Sequence, residues 1–272
     1  MKLCCKATFR SQNNTKRVEG VIIFYITTTK QLRIFESLQQ PILLHLHSQL
    51  VYSQASKSWG STFLIFVFDK MPEDCSSERP LFGGAIASTF PLRFQDVSNV
   101  RQVPDHQEVF VDPARDESLI FELLDFKHDV ADNGSAAWFL QDLSTEQDAE
   151  GSMVIEQSGV FEANGLSFRN VPAVITTAVG QMAISKGRQG REAQNIVRVY
   201  LANLRLRGVG TDVLITAYEP ILINPLSESA STVGAGLAVP AAQSGFMPVA
   251  EVFKLAVSTF IVNDWSLFGA AA

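Results

Sequence analysis

The sequence contains few cysteines and no long apolar run. Its three cysteines include the adjacent pair Cys4 and Cys5, which offers no disulfide framework and is typical of reduced thiols in the cytosol or nucleus. The two longest apolar runs, Val21–Ile26 and residues 63–68, are far shorter than the roughly 18 residues that a membrane span requires. No secretory hydrophobic segment stands near the N-terminus. We therefore expect neither secretion nor a membrane partner.

The sequence also lacks the motifs of common enzymes. The Gly-x-Gly pairs at residues 208–210 and 234–236 have no third glycine, and residues 187–190 are not followed by the Lys-Ser/Thr pair of a phosphate loop. His45 and His47 have no evident third metal ligand, and no serine lies in a nucleophile elbow. We therefore expect no catalytic residue, no cofactor and no metal site, and we predict that the protein is not an enzyme.

Charge is distributed unevenly along the chain. Residues 1–70 contain nine Lys/Arg and three Asp/Glu, a net charge of +6, whereas residues 71–272 contain 13 and 25, a net charge of −12. An acidic surface attracts basic partners and is repelled by phosphate backbones. We therefore expect the partner to be a basic protein surface, with no direct binding of nucleic acid.

The basic N-terminal segment allows three interpretations. The first is a transit peptide, which would explain why Glu19 is the only acid before Glu36. The second is an additional subdomain, and the third is an extension upstream of a natural start at Met71. The runs Val21–Ile26 and 63–68 are short strand candidates without a visible pairing partner. In each interpretation the function lies after Met71, so we divide the chain into an extension of poor structure (1–70) and a functional domain (71–272).

The functional domain is predicted to be an α+β fold, an antiparallel β-sheet flanked by α-helices. A helix over residues 136–143 is expected to be capped by Asn133 or Ser135, and the Ser/Ala/Gly-rich residues 224–245 are predicted to be a loop. An apolar stripe with helical spacing runs from Val249 to Phe260 and should lie on the sheet. Strands are predicted at residues 81–88, 108–112, 118–126, 153–157, 174–185, 195–206 and 211–218.

Acidic residues are concentrated after the Gly-Gly segment at residues 80–85. Asp96 or Ser98 is expected to cap a single helical turn closed by Pro104, and Pro104 with Asp105 indicates a turn in which the proline takes a central position. Glu108 begins an alternating strand with Val109 and Val111 on the opposite face. These acids are either cap, turn and solvated strand residues or contacts for a partner.

Glu122 and Asp125 form a second acidic pair. Glu122 interrupts an apolar strand, where an unpaired carboxylate is costly to bury, so it should face solvent or a site. Residues three apart in a straight strand project from opposite faces. A surface shared by both acids therefore requires a bulge or a strand end near Leu124.

Four segments of the sequence resemble the Ran guanine-nucleotide release factor family. They are residues 80–85 (PLFGGA), 94–110 with its VPDHQEVF end, 116–125 (DESLIFELLD) and 263–269 (NDWSLFG). The resemblance covers roughly residues 78–270 and excludes residues 1–70. It implies an antiparallel sheet flanked by helices, a fold shared with the photosystem II extrinsic protein P. Family members bind the small GTPase Ran and promote release of its nucleotide, GTP especially, so modulating nuclear transport.

The resemblance also implies which residues matter. The segment matching residues 96–108 contributes to Ran binding, and the acids matching Glu122 and Asp125 are important for it, although the family often has the two acids in the opposite order. We expect a monomer of the nucleus and cytoplasm whose acidic face contacts Ran, with Arg101 pairing locally to hold its loop. The residues expected at this partner-binding face are Asp96, Arg101, Asp105, Glu108, Glu122 and Asp125.

Two alternatives keep the fold and change the function. The first is a plastid protein of the photosystem II extrinsic protein P type, with residues 1–70 as transit sequence. The dipeptide Lys16-Arg17 in place of a twin arginine, and the close match over residues 96–108, weigh against it. The second alternative is a scaffold that binds another partner through the same acidic face.

Overall fold

The computed structural model describes residues 74–97, 103–161, 165–185 and 190–269, together with four strands upstream. The chain divides into two compact units after Pro72. In the first unit, β1 (Val21–Ile26) pairs antiparallel with β4 (Ser61–Val67), and β2 (Val51–Tyr52) and β3 (Lys57–Ser58) also pair with β4. The two apolar runs of the sequence therefore pair with each other. That residues 1–70 are an extension outside the functional domain stays a prediction.

The second unit is built on a large antiparallel sheet, as predicted. Its strand order is β10-β13-β14-β15-β9-β8-β7, with β16 beside β15, and a smaller sheet has the order β17-β6-β5. The strands are β5 (Ser76–Leu81), β6 (Ile86–Pro91), β7 (Gln95–Asp96), β8 (Gln107–Asp112), β9 (Glu117–Asp125), β10 (Val154–Phe161), β11 (Ser167–Phe168), β12 (Val171–Pro172), β13 (Val174–Ile184), β14 (Asn195–Leu206), β15 (Thr211–Ile223), β16 (Gly236–Leu237) and β17 (Ile261–Val262). The helices are α1 (Ser135–Glu146), α2 (Glu228–Val233) and α3 (Val249–Ser258).

Helices cover both faces of the large sheet. The apolar side of α1, with Phe139 and Leu140, packs against Ala178, Met182 and Leu201 on one face, which we call the α1 face. The predicted stripe of α3 is buried against the other face, the α3 face. Burial of these apolar side chains is the main stabilising contribution, at about 25 cal/mol per Å² removed from water. The predicted α+β architecture is confirmed. The buried stripe consists of Val249, Val252, Phe253, Ala256, Val257 and Phe260.

The predicted strand at residues 81–88 is wrong, because a turn interrupts it. Phe82, Gly83 and Gly84 all have positive φ angles, of 49°, 66° and 93°. Two consecutive glycines allow this left-handed path at little steric cost. The chain therefore reverses, and Leu81 pairs with Ile86 as β5 and β6 form a hairpin.

Several local predictions also need correction. Asp96 ends β7 and does not begin a helical turn, while Ser98 lies outside the described residues. The turn at Pro104 is confirmed, since Gln107 N–H donates to Pro104 O at 2.9 Å, but the proline takes the first and not a central position. Helix α1 has Gly134 at its N-cap, because a 3-10 turn at residues 132–134 leads directly into it. The predicted loop at residues 224–245 contains α2, β16 and a further 3-10 turn.

Two buried arginines fix the strands around β8 and β9. Arg93 donates to Asp74 at 2.9 Å and to Asp112 at 2.7 Å, and it also contacts Glu117. Arg205 pairs with Asp212 at 3.1 Å and donates to backbone oxygens of the segment that follows β9. Buried charges require such partners, since an isolated one is strongly disfavoured. These contacts hold both ends of β9 in place.

Candidate protein-binding site

One end of the large sheet gathers the predicted acids. Here β8 begins and β9 ends, and Gln107 lies opposite Glu122 while Glu108 lies opposite Phe121. Asp96, which lies on β7, is opposite Phe110 of β8. Residues directly opposite each other in a sheet project from the same face. Glu108 and Asp96 therefore share the α3 face with the buried Phe110 and Phe121, whereas Glu122 projects from the α1 face.

Glu108 and Asp96 form the first acidic group. The Phe82 backbone N–H donates to Glu108 Oε1 at 2.5 Å, which joins the Gly-Gly turn to β8. Burial raises the pKa of Glu108, the hydrogen bond from Phe82 opposes this shift, and the nearby charge of Asp96 adds to it. Glu108 is thus a half-buried carboxylate, and a cation from a partner would stabilise its negative charge.

Glu122 belongs to a second acidic group on the α1 face. Gln107 Nε2 donates to Glu122 Oε1 at 2.6 Å, and His106 Nε2 lies 3.5 Å from the same oxygen. Burial, followed by the charges of Asp142 and Glu122, raises the pKa of Glu146 at the end of α1. The second acidic group therefore consists of Glu122, Asp142 and Glu146.

Tyr218 on β15 lies within the field of the second acidic group. Burial, together with the charges of Glu122 and Glu146, raises the pKa of Tyr218, which stays neutral at physiological pH. Sequence reasoning missed Asp142, Glu146 and Tyr218 because these contacts cross from α1 and β15 to β9. The acidic run after residue 143 was the available signal.

Asp125 and Asp105 are exposed acids that are not members of these two groups. The pairing of β9 with β15 is regular from Ser118 to Asp125, with no bulge, so Glu122 and Asp125 project from opposite faces. Asp105 is at the centre of the turn before β8. Arg101 lies outside the described residues. The expected single acidic face is thus replaced by two acidic groups, one on each face of the same sheet end, and a binding role for these residues stays a prediction.

The C-terminal segment packs beside the first acidic group. The backbone N–H groups of Asn263 and Asp264 donate to Ala85 O at 2.8 and 3.0 Å, so residues 263–268 lie against the Gly-Gly turn. A shallow depression of about 420 Å³ lies between them and is lined by Phe82, Asp264 and Leu267 among others. Two of the segments that carry the family resemblance, residues 80–85 and 263–269, are therefore neighbours in space.

Neither a metal cluster nor a spanning helix is found in the described part of the chain. Over the described residues, no three His, Cys, Asp or Glu side chains are grouped as metal ligands. The helices described there are all too short or too polar to cross a bilayer.

The fold and the site define a class of α+β proteins in which acidic side chains gather at one end of the large sheet. A family model described as "Ran-interacting Mog1 protein" matches residues 79–220, from β5 into β15. The chain belongs to this family, which confirms the resemblance seen in the sequence. The match includes both acidic groups.

Two relatives matched by sequence agree with the family match. The chain is 34% identical to the Ran guanine nucleotide release factor of Danio rerio over 179 residues, covering 65% of this chain and 95% of that protein. It is 28% identical to the nuclear import protein MOG1 of Saccharomyces cerevisiae over 163 residues, 57% of this chain and 72% of that protein. The crystal structure of the Saccharomyces cerevisiae Ran-binding protein Mog1p is 23% identical, with a TM-score of 0.49 over 72% of this chain and 99% of that one.

Proposed function

We propose that the protein binds the small GTPase Ran and promotes release of its guanine nucleotide, mainly GTP, and so modulates nucleocytoplasmic transport. The observation that carries the proposal is the family match over residues 79–220, together with relatives named for Ran nucleotide release and nuclear import. These names do not favour the plastid alternative. In this proposal the protein is a monomer of the nucleus and cytoplasm and acts as a non-catalytic factor, without a cofactor, nucleic acid or membrane partner.

Nucleotide release follows from linkage between two binding events. A factor that binds nucleotide-free Ran more tightly than loaded Ran lowers the affinity of Ran for nucleotide by the same ratio. No bond in the nucleotide needs to be made or broken. A rigid protein surface that competes with the nucleotide for basic groups of Ran is sufficient.

The two acidic groups supply the charge for such a surface. Glu108 and Asp96 act on the α3 face, Glu122 acts on the α1 face, and Asp105 and Asp125 act at the rim between them. Complementary charge steers the encounter and fixes the relative orientation of the partners. Because the acids project from both faces, Ran must contact the end of the sheet from two sides. Arg101 is proposed to hold the loop between β7 and β8.

Release of a fluorescent GTP analogue from Ran tests this function. The full chain should accelerate release from GTP-loaded Ran more than from GDP-loaded Ran, and Glu108→Lys with Glu122→Lys should abolish binding. Glu251→Lys is the matched control, since Glu251 is an exposed acid on α3 paired with Lys254. No acceleration by the unaltered chain, or intact binding by the double variant, contradicts the proposal. Binding without any release would instead favour a scaffold role.

A further inference from the structure

Two side chains, one in the turn before β8 and one at the start of β8, hold the carboxylate of Glu122. Gln107 lies directly opposite Glu122 in the β8–β9 register, and its amide donates to Oε1 at 2.6 Å. His106 Nε2 approaches the same oxygen at 3.5 Å, and Leu123 N–H donates to His106 O at 2.9 Å, which ties the turn to β9. The direction of the Glu122 carboxylate is therefore set by the sheet ladder and by the turn together.

We propose that Gln107 and His106 are positioning residues for Glu122, and that protonation of His106 weakens binding of the basic partner. The inference rests on the proposed function, because it concerns the carboxylate that Ran contacts. When His106 is neutral, the carboxylate of Glu122 is available to a cation of the partner. When His106 is protonated, it is an internal cation that competes with the partner for this carboxylate. Histidine is the side chain that most commonly acts as a charge switch near physiological pH.

The other titratable groups near His106 and Glu122 are carboxyl groups and a phenol. Asp105 precedes His106 in the turn, Glu146 of α1 lies in the field of both Glu122 and Asp142, and Tyr218 of β15 lies in the field of Glu122. Protonation leaves a carboxyl group or a phenol neutral. Of the groups named here, His106 is thus the one whose protonated form carries a positive charge. Binding of a basic partner should accordingly release protons from His106.

The pH profile of Ran binding tests the role of His106. For the full chain we expect affinity for Ran to be about two- to fivefold weaker at pH 6 than at pH 8, the range of an exposed ion pair. His106→Asn should remove most of this dependence, and His128→Asn, which alters another exposed histidine, should keep it. Protonation of groups on Ran itself affects the measured pH dependence of every variant equally. If the ratio of the affinities for Ran at pH 8 and pH 6 is the same in the His106→Asn variant as in the unaltered chain, the role of His106 is overturned.

A charge-adding substitution tests the role of Gln107. Gln107→Glu adds negative charge but places a second carboxylate against Glu122 in place of a donor. Net charge alone predicts tighter binding of a basic partner, whereas positioning predicts binding about fivefold weaker or worse. Gln243→Glu adds the same charge at an exposed site away from Glu122 and is the control, and thermal unfolding checks that both variants fold. Unchanged or tighter binding by the Gln107→Glu variant overturns the inference.

A measurement without Ran separates this inference from the proposed function. The side-chain amide resonances of Gln107 should move in the Glu122→Ala variant, while those of Gln243 stay in place. If the unaltered chain does not bind Ran, the proposed function fails, and the resonances still decide whether Gln107 holds Glu122. If the chain binds Ran and the resonances of Gln107 do not move, the positioning role alone fails.

Discussion

The backbone N–H of Phe82 donates a hydrogen bond to Glu108 Oε1 at 2.5 Å, joining two segments 26 residues apart. Phe82 has a φ of 49°, which is rare for a bulky residue, so the bond helps to hold an unfavourable backbone conformation. Glu108 is consequently both a structural acceptor for the Gly-Gly turn and half of the first acidic group. Substitutions there must be chosen to separate the two roles.

The raised pKa of Glu108 predicts a pH-dependent stability that Glu108→Gln removes. Between the ordinary value of 4.5 and the raised value, the folded state binds more protons at this site than the unfolded state. The contribution of this group to the free energy of unfolding therefore falls as the pH rises through that window. Glutamine keeps an acceptor for Phe82 N–H and does not titrate. The stability of the variant relative to the unaltered chain should increase from pH 4.5 to 7, as measured by urea unfolding.

Glu251→Gln is the control for this measurement. It removes an exposed acid from α3, so its stability relative to the unaltered chain should change little over the same pH range. A constant difference between Glu108→Gln and the unaltered chain at all pH values would show that burial does not perturb Glu108. If Glu108→Gln weakens Ran binding and leaves stability unchanged, the negative charge of Glu108 itself contributes to binding.

The sequence predicted elements whose residues follow one local period. The limits of β14, Asn195–Leu206, agree with the prediction because Val197, Val199 and Leu201 recur with the two-residue period of a strand, with Arg198 and Tyr200 between them. The stripe of α3 was recognised in the same way. In contrast, Gly83 and Gly84 lie in an apolar run whose period carries no sign of the positive φ angles that reverse the chain.

The arrangement of the site depended on information that no local pattern contains. The sequence identified Glu108 and Glu122 as acids of interest, but the face from which each projects follows from strand register. The contact of Gln107 with Glu122 follows from the same register, and the approach of Glu146 follows from the packing of α1. Such long-range pairings are fixed only when the whole sheet forms.

The opposite orientations of Glu122 and Asp125 predict that their contributions to Ran binding are independent. Three residues along a strand separate their Cα atoms by about 10 Å. Substitutions at that separation without shared partners usually add within about 0.5 kcal/mol. The loss of binding free energy in the double variant with Glu122→Lys and Asp125→Lys should therefore equal the sum of the single losses, as measured by titration calorimetry. A coupling above about 1 kcal/mol would mean that one group of Ran contacts both acids.

Arg93 is predicted to be essential for stability although it lies outside the acidic groups. Its side chain is only 5% exposed and connects Asp74, Asp112 and Glu117. Arg93→Ala removes the cation shared by three carboxylates, of which Glu117 keeps its pair with Arg115, and should lower the free energy of unfolding by about 3–5 kcal/mol. Arg198→Ala is the matched control, because Arg198 and Glu156 form a pair about one-third exposed, for which a loss below about 1 kcal/mol is expected. Equal losses in the two variants would contradict a structural role specific to Arg93.

Removal of residues 1–70 is predicted to leave Ran binding and nucleotide release unchanged within about twofold. The division into two units falls after Pro72, the family match begins at residue 79, and both acidic groups lie in the second unit. The second unit also contains the large sheet and the two apolar clusters that α1 and α3 bury against it, so its stability should not depend on the first. Fluorescent-GTP release from Ran and thermal unfolding, compared between the full chain and residues 71–272, provide the test. Loss of release by a shortened chain that still unfolds cooperatively would show that the basic N-terminal segment takes part in binding.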